Sequence, residues 1–93
     1  MMISTKGRYA LKIMVDLTQN RSIHPVNIKS ISARQGISVK YIEQIIASLV
    51  RAGLVKSVRG SQGGYFLTRE PEHYSVGEIL RAAEGEIAPV ECV

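Results

Sequence analysis

The chain has a single cysteine, so no disulfide can form within it, which suits a reducing cytosol. No apolar run approaches the length needed to span a bilayer. Met1 to Lys6 leads into an amphipathic helix rather than an apolar leader, so a signal peptide is not expected. The expected location is therefore cytoplasmic. Acids are scarce over most of the chain: residues 1–69 hold eleven lysines and arginines against Asp16 and Glu43 alone, a net +9. Residues 70–93 hold Arg81 against six glutamates, a net −5. Chemistry-bearing clusters are lacking too. His24 precedes a proline with no second ligand at metal spacing, and reads as a surface histidine. His73 and Cys92 have no partner that sequence places beside them, and there is no nucleophile elbow or metal motif. These absences argue against an enzyme.

What is present centres on residues 26–64. At 93 residues the chain is expected to form one domain, over 1–85, with a tail at 86–93. Asn27 is a good N-cap for a short helix, with Val26 and Ile31 placed as its hydrophobic staple. Gly36 closes that helix in the left-handed conformation. Ser38 caps the next helix, and Ile37 is placed to staple to Ile42. Ile42, Ile45, Ile46 and Leu49 follow at i, i+3, i+4 and i+7, which puts one face in a core and frees the other. Gly53 ends it. Two short helices joined by a glycine turn form a helix-turn-helix, whose second helix enters the major groove of DNA. The basic balance of residues 1–69 favours a polyanionic partner, although a merely solvated basic surface is the bland alternative.

Upstream, Ser4 or Thr5 can cap a helix reaching about Gln19. Tyr9, Ile13 and Leu17 make its apolar stripe, flanked by Ala10 and Met14, and Leu11 and Val15 extend it round the other side. Lys12, Asp16 and Gln19 are its polar row. So apolar a helix is expected to be covered on two sides as the core helix. Lys6 and Arg8 near its start are placed to touch a phosphate or simply to be solvated. Residues 20–25 read as a loop. Downstream, Leu54 to Arg59 and Tyr65 to Thr68 are β-prone runs around a Gly60-Ser61-Gln62-Gly63-Gly64 tip. A hairpin directly after a recognition helix is the layout of a winged helix, so the expected fold is mainly α, with a two-stranded wing. The tip lacks the Gly-Lys-Ser/Thr and the following helix of a P-loop. Its Gly-x-x-Gly lies between strands, whereas a KH clamp sets it between helices. After Pro71, Ser75 to Glu78 form a capping box, with Tyr74 and Ile79 as its staple, opening a helix that stops at Gly85.

For DNA reading, the start of the second helix offers Ser38, Lys40, Tyr41, Glu43 and Gln44, and later Ser48. Gln44 suits a bidentate pair with adenine, Glu43 a cytosine amine, and Lys40 a phosphate. Tyr41 is either a DNA contact or part of the core beside Ile42 and Ile45. Arg59 flanks the wing tip, placed for a narrow A·T-rich minor groove, and Ser61 and Gln62 at the tip complete the set.

Several segments together carry a resemblance. These are Ser4-Thr5-Lys6-Gly7-Arg8-Tyr9-Ala10, Gln35-Gly36-Ile37-Ser38 with Tyr41-Ile42-Glu43-Gln44, Ala52-Gly53-Leu54-Val55, and Val58-Arg59-Gly60 with Gly63-Gly64-Tyr65. The chain resembles, over nearly its whole length, the Rrf family of bacterial winged-helix regulators, the class of IscR, NsrR and CymR. The resemblance implies a homodimeric transcription regulator, most often a repressor, with Tyr41, Glu43, Gln44 and Arg59 at the DNA-reading positions. It further implies sensing of iron–sulfur status, nitric oxide or redox through a cluster on three cysteines, of which Cys92 matches the first. A cluster-free regulator of cysteine metabolism of the CymR type is the alternative within the family. A winged helix that binds protein rather than DNA is the alternative outside it. One departure stands out: biological clusters take about four ligands, mostly thiolates, and one cysteine does not supply them. No cluster is expected on these 93 residues alone, and the Cys92 thiol is expected to be ordinary. The family's long dimerisation helix also has no counterpart here, so the 93 residues are expected to be mostly monomeric.

Overall fold

The computed structural model describes residues 5–61 and 63–84. The first helix, α1, runs Thr5–Gln19. It buries Ala10, Ile13, Met14 and Leu17 against the other helices. Ser4, one of its two proposed caps, lies outside the described residues. Two residues of α1 depart from the expected pattern. The helix is covered by the later helices and touched by the wing, as its apolar surface required, but Val15 is 52% exposed. Asp16 does not belong to a solvated row: it is 1% exposed. Arg34 donates to both its carboxylate oxygens, from Nε at 2.9 Å and Nη2 at 2.7 Å, and Gln35 Nε2 adds a third bond at 2.9 Å. Burying a carboxylate is costly unless donors replace the lost water, and here they do.

Those donors sit at the end of α2, Ile28–Gln35. Asn27 caps its start by accepting from Lys29 N–H at 2.7 Å. Gly36 closes it at φ 67°, a left-handed conformation that glycine adopts without a Cβ clash. The recognition helix α3, Val39–Arg51, follows at once, with Ser38 Oγ accepting from Tyr41 N–H. Ile42, Ile45, Ile46 and Leu49 are essentially fully buried, each contributing about 1.5–3 kcal/mol of transfer free energy.

The wing pairs β1, Val55–Val58, antiparallel with β2, Gly64–Leu67, in the register Val55↔Leu67 to Val58↔Gly64. A third partner went unseen in the sequence. Val26, just before the α2 cap, exchanges two backbone bonds of 2.9 Å with Tyr65 on the outer side of β2. The wing is thus flanked by the α1–α2 connection as well as by its own hairpin. A short 3₁₀ turn, Pro71–His73, leads to α4, Val76–Ala83. Ser75 caps α4 through Glu78 N–H, but the Glu78 carboxylate does not close the box; it accepts from Arg69 instead. Ile79, Ala82 and Ala83 pack α4 against α1 and α3. The expected stop at Gly85 and the whole 86–93 tail lie outside the described residues.

Candidate nucleic-acid interface

The buried stripe of α3 defines its outward side. Lys40, Glu43, Gln44, Ala47 and Arg51 are all exposed and recur at intervals of three and four, so they share that side. Ser38, at the start, is exposed as well. Its oxygen accepts the capping bond, which leaves the O–H free to donate. Ala47 was missed in the sequence. It falls one turn beyond Gln44, and a methyl there lets the helix backbone lie close to a surface and meet a thymine methyl. The 40-44-47 spacing was the signal for it.

Ser48 moves the other way. It is 3% exposed, with its hydroxyl accepting from Arg51 Nη2, so it does not offer itself to a ligand. A serine is small enough to be buried once one hydrogen bond is found, and periodicity alone misplaced it. Tyr41 divides between its two readings. It is half-buried, and its ring meets Tyr9 of α1 edge-to-face, at 5.4 Å between centroids and 76° between planes. Lys12 lies over Tyr9, 5.5 Å from its centroid. The pair ties the first turn of α3 to the basic start of α1, where Arg8 is exposed.

The wing follows α3 directly and packs on it through β1. Arg59 is exposed directly after β1, and the tip is closed by a 2.9 Å bond from Gly63 N–H to Gly60 O. Ser61 is exposed at the tip, and Gln62 lies outside the described residues. Glu43 lies within electrostatic reach of Tyr65 in β2. Burial first, and the Glu43 carboxylate second, hold the Tyr65 phenol above its ordinary value. The structure therefore brings Lys40, Glu43 and Gln44 to one side of α3, with Ser38 exposed at its start, Tyr41 half-buried against Tyr9, and Arg59 and Ser61 exposed on the hairpin.

A family model described as Rrf2, iron-dependent transcriptional regulator, matches residues 3–93. The chain belongs to the Rrf2 family. It is 48% identical over 91 residues to the HTH-type transcriptional regulator CymR of Bacillus subtilis (strain 168), covering 98% of this chain and 66% of CymR. The solved structure of CymR (YrzC), the global cysteine regulator of B. subtilis, superposes with a TM-score of 0.85 at 46% identity, covering 91% of this chain and 66% of that one. The structure of T. potens IscR gives a TM-score of 0.82 at 55% identity, covering 92% and 63%. This Rrf2 chain thus spans about two thirds of the length of CymR. The winged-helix architecture is that of both solved relatives, and the family is one of transcriptional regulators, not enzymes. No helix among the described residues is long and apolar enough to cross a membrane.

The resemblance to IscR raises the iron–sulfur cluster again, and these 93 residues do not by themselves supply its ligands. Among the described residues no three of His, Cys, Asp and Glu come together as a metal site. The sole cysteine, Cys92, lies outside the described residues, and a cluster takes about four ligands.

Proposed function

We propose that this chain is the DNA-binding domain of a bacterial, cytoplasmic transcription regulator, a repressor that reads double-stranded operator DNA as a homodimer in its longer form. The observation that carries the reading is the outward stripe of α3, exposed from Lys40 to Arg51, polar but for Ala47, and opposite a sealed core stripe. In this reading Gln44, Glu43 and Ala47 meet base edges, Lys40 and Ser38 meet phosphates, and Arg59 enters the minor groove beside them.

The test is binding to a duplex selected by the chain from a randomised pool, against a scrambled duplex, across a salt series. Counterion release gives a steep loss of affinity with salt for a DNA-binding surface. A protein-interaction module would show no selection and no slope. Gln44→Ala is expected to weaken the selected duplex by about 1–3 kcal/mol and to relax preference at one position, with little change on scrambled DNA. Equal weakening on both would move Gln44 away from the bases.

The signal is proposed to be iron–sulfur or redox status, with Cys92 one ligand of a cluster completed by cysteines of a longer chain. The family description as iron-dependent supports this, and similarity to CymR supports the cluster-free alternative. A chain extended past Val93 to include further cysteines is expected to purify anaerobically with iron and acid-labile sulfide, and Cys92→Ala to lose both. An extended wild type that holds no iron after anaerobic reconstitution leaves the CymR-type regulator as the better account.

A further inference from the structure

We propose that Tyr74 is the positioning residue that sets the wing, and with it Arg59, against DNA; this rests on reading the wing as a DNA contact. One phenol oxygen gathers three backbone partners. It donates to Leu54 O at 2.8 Å and accepts from Thr68 N–H at 2.9 Å and Arg69 N–H at 3.1 Å. That is the full capacity of a hydroxyl with one proton and two lone pairs. The partners are not scattered. Leu54 immediately precedes β1, and Thr68 immediately follows β2, so the oxygen closes the open end of the hairpin. Thr68 Oγ1 adds a 2.7 Å bond to Gly53 O across the same root.

The root is anchored on both sides. Leu54 N–H donates to Leu49 O at 3.0 Å, which joins it to the end of α3. Arg69 lies over the Tyr74 ring, 5.2 Å from its centroid, donates to His73 O at 3.2 Å, and reaches Glu78 of α4 at 2.7 Å. Tyr74 is half-buried, which fits a hydroxyl used for geometry more than a ring used for filling. Arg59 lies four residues beyond Val55, roughly 13 Å along the strand, so a small tilt at the root becomes a larger displacement at the tip. Loss of the hydroxyl frees that tilt.

The experiment compares Tyr74→Phe, Arg59→Ala and the double variant on the pool-selected duplex with A·T-rich and with G·C-rich flanks. Arg59→Ala is expected to weaken the A·T-flanked duplex by about tenfold and lower the salt slope by about one unit. Tyr74→Phe is expected to weaken the same duplex by roughly fivefold, with the same direction of slope change, and by less than about twofold once Arg59 is already replaced. A full, additive loss in the Arg59→Ala background would show a general structural role and overturn the proposal. So would wild-type affinity for Tyr74→Phe where Arg59→Ala binds weakly. If Arg59→Ala itself changes nothing on either flank, the wing reading fails and the proposal falls with it. Amide exchange on the wild type is a check that needs no variant to fold. Thr68 and Arg69 N–H are expected to be protected, and free exchange at both would remove the knot.

Discussion

Alanine at position 64 is expected to lower the melting temperature by roughly 10–20 °C, through a cost of about 2–4 kcal/mol. Gly64 lies in β2 opposite Val58, and the bridging Val26 segment runs along the other edge. A Cβ there would press on the Val26 carbonyl oxygen and lie 2.7 Å from its carbonyl carbon and 3.2 Å from Asn27 N. All three are backbone atoms, which cannot rotate away as a side-chain end can. Relief requires moving Val26 and Asn27, and so stretching the two 2.9 Å bonds to Tyr65 and disturbing the cap of α2. Overpacking costs about 1–3 kcal/mol, and the two weakened bonds together about 1 kcal/mol more. Gly60→Ala is the control. Its φ of +112° strains an L residue, but nothing lies within 4 Å of a Cβ there, so it is expected to cost only about 1–2 kcal/mol. Thermal unfolding of the two variants decides the matter. An alanine at 64 that costs no more than one at 60 would show that the Val26 segment yields freely.

Gly64 also marks where sequence reading ran out. The caps at Asn27, Ser38 and Ser75, the left-handed Gly36 and the sealed stripe of α3 were all legible, because each is settled within four or five residues by local geometry. What was not legible depends on partners far along the chain. The Val26–Tyr65 bridge spans 39 residues, and nothing in the 20–25 loop announces a strand edge beyond it. Tyr74 suggested a hydrophobic staple to Ile79, and its ring does pack against the core. Its oxygen, however, organises residues six and twenty positions back. On the candidate interface the polar members Lys40, Glu43 and Gln44 were found, because an exposed helix face displays them by period. Ser48 and Ala47 were misjudged for one reason: small residues carry little signal of which way they face. Asp16 was the largest error. It sits at polar spacing with Lys12 and Gln19, but a second helix arrives on that side carrying the only kind of partner that makes its burial tolerable.

That partner supports the second large prediction. Arg34→Ala is expected to destabilise the fold by about 3 kcal/mol near neutral pH, and Asp16→Asn by about 1–2 kcal/mol. The asymmetry follows from exposure. The Asp16 side chain is 2% exposed and the Arg34 side chain 39%, so a stranded guanidinium finds water and a stranded carboxylate does not. The pH dependence sharpens the distinction. Burial pushes the Asp16 carboxyl up, but hydrogen bonds from Arg34 and Gln35 and the Arg34 charge outweigh it and hold the group below its ordinary value. A carboxyl with a lower pKa folded than unfolded contributes stability that is complete above its unfolded pKa and disappears as pH falls through the folded one. The wild type should therefore lose this increment on acidification below about pH 4. In Arg34→Ala the burial remains while the guanidinium's two bonds and its charge are gone. Gln35 and Asn20 alone do not outweigh burial, so the sign reverses: the carboxyl is stabilised by taking up a proton, and the variant closes the gap to wild type as pH falls. Urea unfolding of both across the acidic range reads the effect directly, and equal stability differences at neutral and acidic pH would sink it. The consequence reaches the interface. Arg34 and Gln35 end α2 just ahead of the Gly36 turn, so the pair holds α2 on α1 and fixes the angle at which α3 is presented. Pool-selected DNA should accordingly bind Arg34→Ala with a lower ratio of selected to scrambled affinity even at temperatures where the variant is fully folded.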